Sequence, residues 1–97
     1  MPTDTFTVRR KPKAVATKAL GIMKRARLGE FKLKQSSVTQ RGDGFVAKAK
    51  WEESGFFGDS AELQVEAKEA FNGATEVVVT TFSDMCAKLA GRLRKEL

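Results

Sequence analysis

The chain has 97 residues, 41% of them hydrophobic, with a formal net charge of +6, no histidine, no tyrosine and one cysteine. That length supports one domain, residues 1–97, with a small core. The composition argues against wholesale disorder, and the missing histidine and tyrosine remove the commonest general base and the usual nitrogen ligand for a metal.

The first predicted element is a strand over Thr3–Arg10, where Phe6 and Val8 alternate with Thr5, Thr7 and Arg9. Pro12 suits the first turn of a helix. Val15, Ala19, Ile22, Met23 and Ala26 follow at helical spacing, with Gly29 as the expected stop. Gly21 inside this helix is expected to allow close packing on a sheet. The entry breaks a rule: Arg9, Arg10, Lys11 and Lys13 crowd the helix start, where the dipole favours anions, and no Ser, Thr, Asp or Asn caps it. These four cations are a candidate anion-binding group; the plainer account is long side chains splayed into water.

Glu30–Gln40 reads as a second strand with Phe31 and Leu33 inward. Val38 is out of phase with them, which predicts a bulge or bend near Ser36-Ser37. Gly42-Asp43-Gly44 signals a hairpin, and this turn also accounts for the Arg-Gly-Asp tripeptide at Arg41–Asp43. Phe45, Ala47, Ala49 and Trp51 share the inner face of a third strand, and Ala61, Leu63, Val65 and Ala67 that of a fourth. Asn72-Gly73 predicts a type I′ turn. A β-branched strand over Thr75–Phe82 follows, with Val77, Val79 and Thr81 inward. It runs into an amphipathic helix carrying Met85, Cys86, Leu89, Ala90, Leu93 and Leu97 on one stripe. Ser83 is placed to cap that helix, Asp84 to complement its first turn, and Arg92, Arg94 and Lys95 its last.

The expected fold is therefore α+β in the order β-α-β-β-β-β-α: a curved antiparallel sheet with both helices on its apolar face. Residues 53–60 are too few and too glycine-rich for a helix between the third and fourth strands, which argues against a ferredoxin-like arrangement.

A short strand and helix, an antiparallel sheet and a long C-terminal helix resemble the helix-grip (START/SRPBCC-like) architecture in minimal form. The opening Phe6-Thr-Val-Arg-Arg-Lys-Pro-Lys-Ala14 and the closing Glu76-Val-Val-Val-Thr…Leu97 also resemble the small bacterial polyhydroxyalkanoate system proteins. This chain departs from them in its apolar Gly55–Gly58 loop and in lacking histidine near the start of the first helix. The resemblance implies a binding or surface-associated domain.

Chemistry-bearing residues are sparse. Cys86 lies on the stripe with Leu89 and Leu93, as a core thiol would, and has no disulfide partner. The acidic pairs Glu52-Glu53 and Glu66/Glu69 fall among outer polar positions. No phosphate-loop pattern occurs. No metal and no cofactor are expected, and the chain reads as a non-enzyme. In Gly55-Phe56-Phe57-Gly58, strand alternation cannot bury both aromatics. Phe56 and Phe57, with Trp51 beside them, are the candidate ligand or partner loop; the alternative is that both fold over the sheet edge.

Charge divides the chain. Residues 1–50 carry thirteen Lys/Arg against three Asp/Glu, and residues 51–97 five against nine. Either the basic half meets a polyanion, or the halves neutralise each other across the sheet. The leading expectation is a small binding domain for a hydrophobic ligand, an apolar surface or a protein partner, present as monomer or homodimer. The alternative is a basic nucleic-acid-binding domain that contacts the phosphate backbone. No apolar run is long enough to span a bilayer, and Thr3–Lys13 has no leader-like apolar stretch, so the expected location is cytoplasmic.

Overall fold

A computed structural model describes residues 3–53, 58–83 and 86–97. Five strands, β1 (Thr3–Val8), β2 (Phe31–Arg41), β3 (Gly44–Glu53), β4 (Ser60–Glu69) and β5 (Thr75–Thr81), form one antiparallel sheet in the order β1-β5-β4-β3-β2. Helix α1 (Pro12–Arg25) lies between β1 and β2, and α2 (Ala87–Glu96) follows β5. This is the predicted α+β order. Strands β2 to β5 are a meander, and β1 closes it by pairing with β5, Phe6 opposite Val77.

Strand alternation selects the face the helices cover. Ala47, Ala49 and Trp51 on β3, Ala61, Leu63, Val65 and Ala67 on β4, and Val77 and Val79 on β5 are all at most 1% exposed. Helix α1 answers them with Val15, Ala16, Ala19, Ile22 and Met23, and packs over β2, β3, β4 and β5. The small alanines of β3 and β4 let its backbone come close. Helix α2 covers the β5 side and touches α1, burying Leu89, Ala90 and Leu93.

The turns follow from the residues that make them. Gly42 has a φ of +60° and is the first residue of the two-residue loop between Arg41 and Gly44, the pattern of a type II′ turn. Asn72 and Gly73 both have positive φ, 59° and 74°, and the Ala74 N–H donates to Phe71 O at 3.2 Å, as in the expected type I′ turn. The Ala70 N–H donates to Ala74 O at 2.8 Å, so Ala74 faces both Ala70 and Phe71. This one-residue bulge beside the turn leaves Phe71 outside the pleat, 90% exposed.

Several local expectations are corrected. The β2 bulge falls between Leu33 and Gln35, with Lys34 the extra residue, two positions before Ser36-Ser37. Helix α1 ends at Arg25 with Ala26 extended, not at Gly29. Gly29, at φ +58°, instead turns the chain back so that the Phe31 N–H reaches Leu28 O at 2.9 Å. The Ser83 hydroxyl does not cap α2. It is directed to Ser60 O on β4, while Ser83 O accepts the Cys86 N–H at 2.9 Å. Asp84 and Met85 lie outside the described residues.

Gly21 is also corrected. A Cβ added there meets nothing within 4 Å, so close packing does not require the glycine. The same holds for Gly91 in α2. Both sit inside helices, where glycine is less favourable than alanine by about 1 kcal/mol. Gly21→Ala and Gly91→Ala should therefore each stabilise by roughly 0.5–1 kcal/mol, which raises the melting temperature by about 2–8 °C for a chain of this size. A thermal melt that stays level or falls would refute this.

Candidate functional site

The start of α1 is as bare as its sequence. Lys11 is the N-cap without a side-chain cap bond, Pro12 follows it, and the first turn contains no acidic residue. Arg9, Arg10, Lys11 and Lys13 are all exposed. The segment is fastened through its backbone: the buried Thr75 hydroxyl, at the first position of β5, donates to Arg10 O. Among the described residues no carboxylate pairs with these four cations.

Elsewhere the register offsets the charge asymmetry. On the outer face Lys32 stands opposite Glu52, Lys50 opposite Glu62, and Lys68 opposite Glu76, the last pair at 3.8 Å. Opposite charges at such cross-strand positions are modestly stabilising. Arg94 of α2 reaches Asp4 of β1 at 2.7 Å and lies 5.8 Å from the Phe6 ring centroid. Lys34 and Lys48 face no glutamate, and further unpaired positive charge lies at the two ends of α1.

Trp51 is 1% exposed, between Leu33 on β2 and Ala61 on β4. It is part of the core and has no solvent-facing surface to offer a partner. Its indole Nε1 has no hydrogen-bond acceptor among the described residues. Phe56 and Phe57, expected to work with it, lie outside the described residues. The chain re-enters at Gly58, whose backbone packs so tightly on Glu53 that an added Cβ would sit 2.1 Å from Glu53 O.

The described cleft is one the sequence reading did not assemble. It has a volume of about 510 Å³ and lies between residues 26–29, which follow α1, and one face of α2. Leu28 and Leu89 give it an apolar floor, with Ala26 beside them. Arg27, Lys88 and Arg92 bring three cations to it, and among the described residues no carboxylate lines it. Arg92 donates through Nε to Glu96, one helical turn on. The sequence signal was faint. Lys88, Leu89 and Arg92 share a helix face by spacing, but Arg27 and Leu28 meet them only because Ala26 breaks α1 and Gly29 turns the chain back.

Among the described residues the cleft lining contains no Cys, Ser, Thr, Asp or Glu. Cys86 is buried, and desolvation pushes its thiol pKa up, away from the depressed values that favour a thiolate nucleophile. Among the described residues no group of acidic, cysteine or histidine side chains is arranged to hold a metal. No helix of the described chain is long and apolar enough to cross a membrane. The fold and cleft define a small α+β domain with a basic-rimmed, apolar-floored recess. Searches against protein-family models and curated proteins return no match for this chain.

Proposed function

We propose that this protein is a non-catalytic binding domain whose ligand is a small amphipathic anion, an apolar body ending in a carboxylate or phosphate. The cleft between residues 26–29 and α2 carries this reading. Its volume of about 510 Å³ falls in the usual range of small-ligand sites, roughly 300–1,000 Å³. Its floor suits a short hydrocarbon chain. Its three cations suit an anionic head; Arg92 is shared with Glu96, and the Arg27 guanidinium permits bidentate bonds to either acid. The helix-grip-like element order accords with a binding role, and a raised thiol pKa at the one cysteine accords with a non-catalytic one. The nucleic-acid alternative is less well supported, since much of the lysine on the sheet faces glutamate and the outer face presents no aromatic for base stacking.

Laurate and lauryl alcohol, titrated calorimetrically, separate the contributions of head and chain. Laurate should bind at least about tenfold more tightly than the alcohol, because hydrogen bonds to charged groups are worth about 1.5–3 kcal/mol. Arg27→Gln with Lys88→Gln should remove most of that preference while leaving the melting temperature within a few degrees. Equal affinity for acid and alcohol, or indifference to the double substitution, would overturn the assignment.

A further inference from the structure

We propose that the end of the sheet bearing the β4–β5 turn docks on an anionic lipid membrane, with Phe71 entering the bilayer interface and Arg9, Arg10, Lys11 and Lys13 lying over the headgroup phosphates. The topology brings these five residues to one end. Strand β1 finishes opposite the start of β5, Val8 against Thr75, and the Thr75 hydroxyl holds Arg10 through its backbone. The turn that carries Phe71 leads directly into β5 at the same end.

A single exposed phenylalanine is ordinary on a protein surface. Phe71 differs in two respects. It is 90% exposed, thrust out by a bulge beside a turn that Asn72 and Gly73 make by themselves, so the turn does not require an aromatic there. Its neighbourhood is also strongly one-signed. The four cations are exposed and without ion pairs among the described residues, and Arg41 at the β2–β3 turn adds a fifth. Against them this end has Asp43 and Glu69, while Glu76 is taken by Lys68.

An exposed apolar side chain at the same end of the sheet as five Lys and Arg matches the layered chemistry of a lipid interface: acyl boundary below, phosphate above. A nucleic-acid strand fits less well. It calls for a groove with several stacking platforms, whereas this tip bears one exposed ring among the described residues. The cleft lies at the other end of the strands, where β2 begins and β5 finishes, so membrane docking and ligand binding can be tested separately.

The test is sedimentation of the intact protein with phosphatidylglycerol vesicles and with phosphatidylcholine vesicles. Binding should be confined to the anionic vesicles and should weaken steeply as salt is raised. Phe71→Ser should lower the partition coefficient about tenfold, and this exposed position should leave the melting temperature unchanged. The triple substitution Arg9→Gln, Arg10→Gln, Lys11→Gln should lower it about a hundredfold, at roughly fivefold per cation. Four results would overturn the proposal: no binding to anionic vesicles, equal binding to both vesicle types, binding that ignores Phe71→Ser, or binding that survives the triple substitution. Phe71-dependent binding to single-stranded DNA without vesicle binding would also overturn it and point to nucleic acid.

Discussion

Trp51→Ala is expected to destabilise the protein by about 3–5 kcal/mol, the usual loss for a fully buried aromatic. Trp51 leads the large side chains that are under 2% exposed, and it fills the inner face of β3 near its C-terminal end. Truncation would leave a void beneath the helix layer that the surrounding alanines are too small to occupy. A domain of this size has roughly 5–15 kcal/mol of stability in all, and each kcal/mol moves the melting temperature by about 4–8 °C. The melt should therefore fall by at least about 12 °C.

Trp51→Phe is the informative companion. It keeps most of the apolar contact and removes the indole N–H, which has no acceptor among the described residues, a group whose burial costs about 1–3 kcal/mol when unpaired. Its loss should be well under half that of alanine. Should Trp51→Ala melt within a few degrees of the parent, the indole does not sit in the core, and its sequence-level reading as part of a ligand loop would return.

Leu93→Ala should cost about 2–5 kcal/mol, and Leu89→Ala less, near the lower figure. Both lie on the buried stripe of α2, but Leu93 is 0% exposed whereas Leu89 is 5% exposed and borders the cleft, where part of its surface already lacks protein neighbours. Helix α2 has only ten residues, Gly91 among them. A segment that short is not helical by itself in water, so its structure depends on this stripe. The Arg94–Asp4 pair adds little, since the two side chains are 58% and 36% exposed. Urea denaturation followed by far-UV circular dichroism would measure both losses. A near-neutral Leu93→Ala would mean that α2 is not held on the sheet by its apolar face.

The alternating strands were legible because period-2 patterning needs only local information: Ala61, Leu63, Val65 and Ala67 declare one face without reference to any partner. The Asn72-Gly73 turn was legible for the same reason, since positive φ at both positions is a property of the residues themselves. What failed was what depends on neighbours far along the chain. Gly29 looked like a helix stop because the pattern ran to Ala26, yet the fold uses it to swing Leu28 back toward Phe31. Ser83 looked like a cap because of its place before an apolar stripe, yet its hydroxyl is turned to β4. Lys34 could not be identified as the bulged residue until Leu33 was set against Trp51 and Gln35 against Lys50.

The candidate sites divide similarly. Arg9, Arg10, Lys11 and Lys13 stood out because four cations at an uncapped helix start violate a local rule. Trp51 was noticed for its type and place beside an aromatic loop, but its burial is decided by the pairing of β2, β3 and β4 and by the helix layer above them. Phe71 passed unnoticed because the Asn-Gly signal explained the turn, and only the register shows the extra residue that expels it.

By itself, then, the sequence determined the elements, their order, the face each strand turns inward, and the unneutralised basic start of α1. These follow from short-range periodicity, backbone preference and charge, which a linear chain displays directly. The tertiary structure alone decided that facing lysines and glutamates offset one another on the outer sheet, that Arg27 meets Lys88 and Arg92 across a cleft, and that Phe71 joins the cations at one end. Each of these depends on contacts between residues distant in the chain, fixed only when the strands choose their register and the helices settle on the sheet.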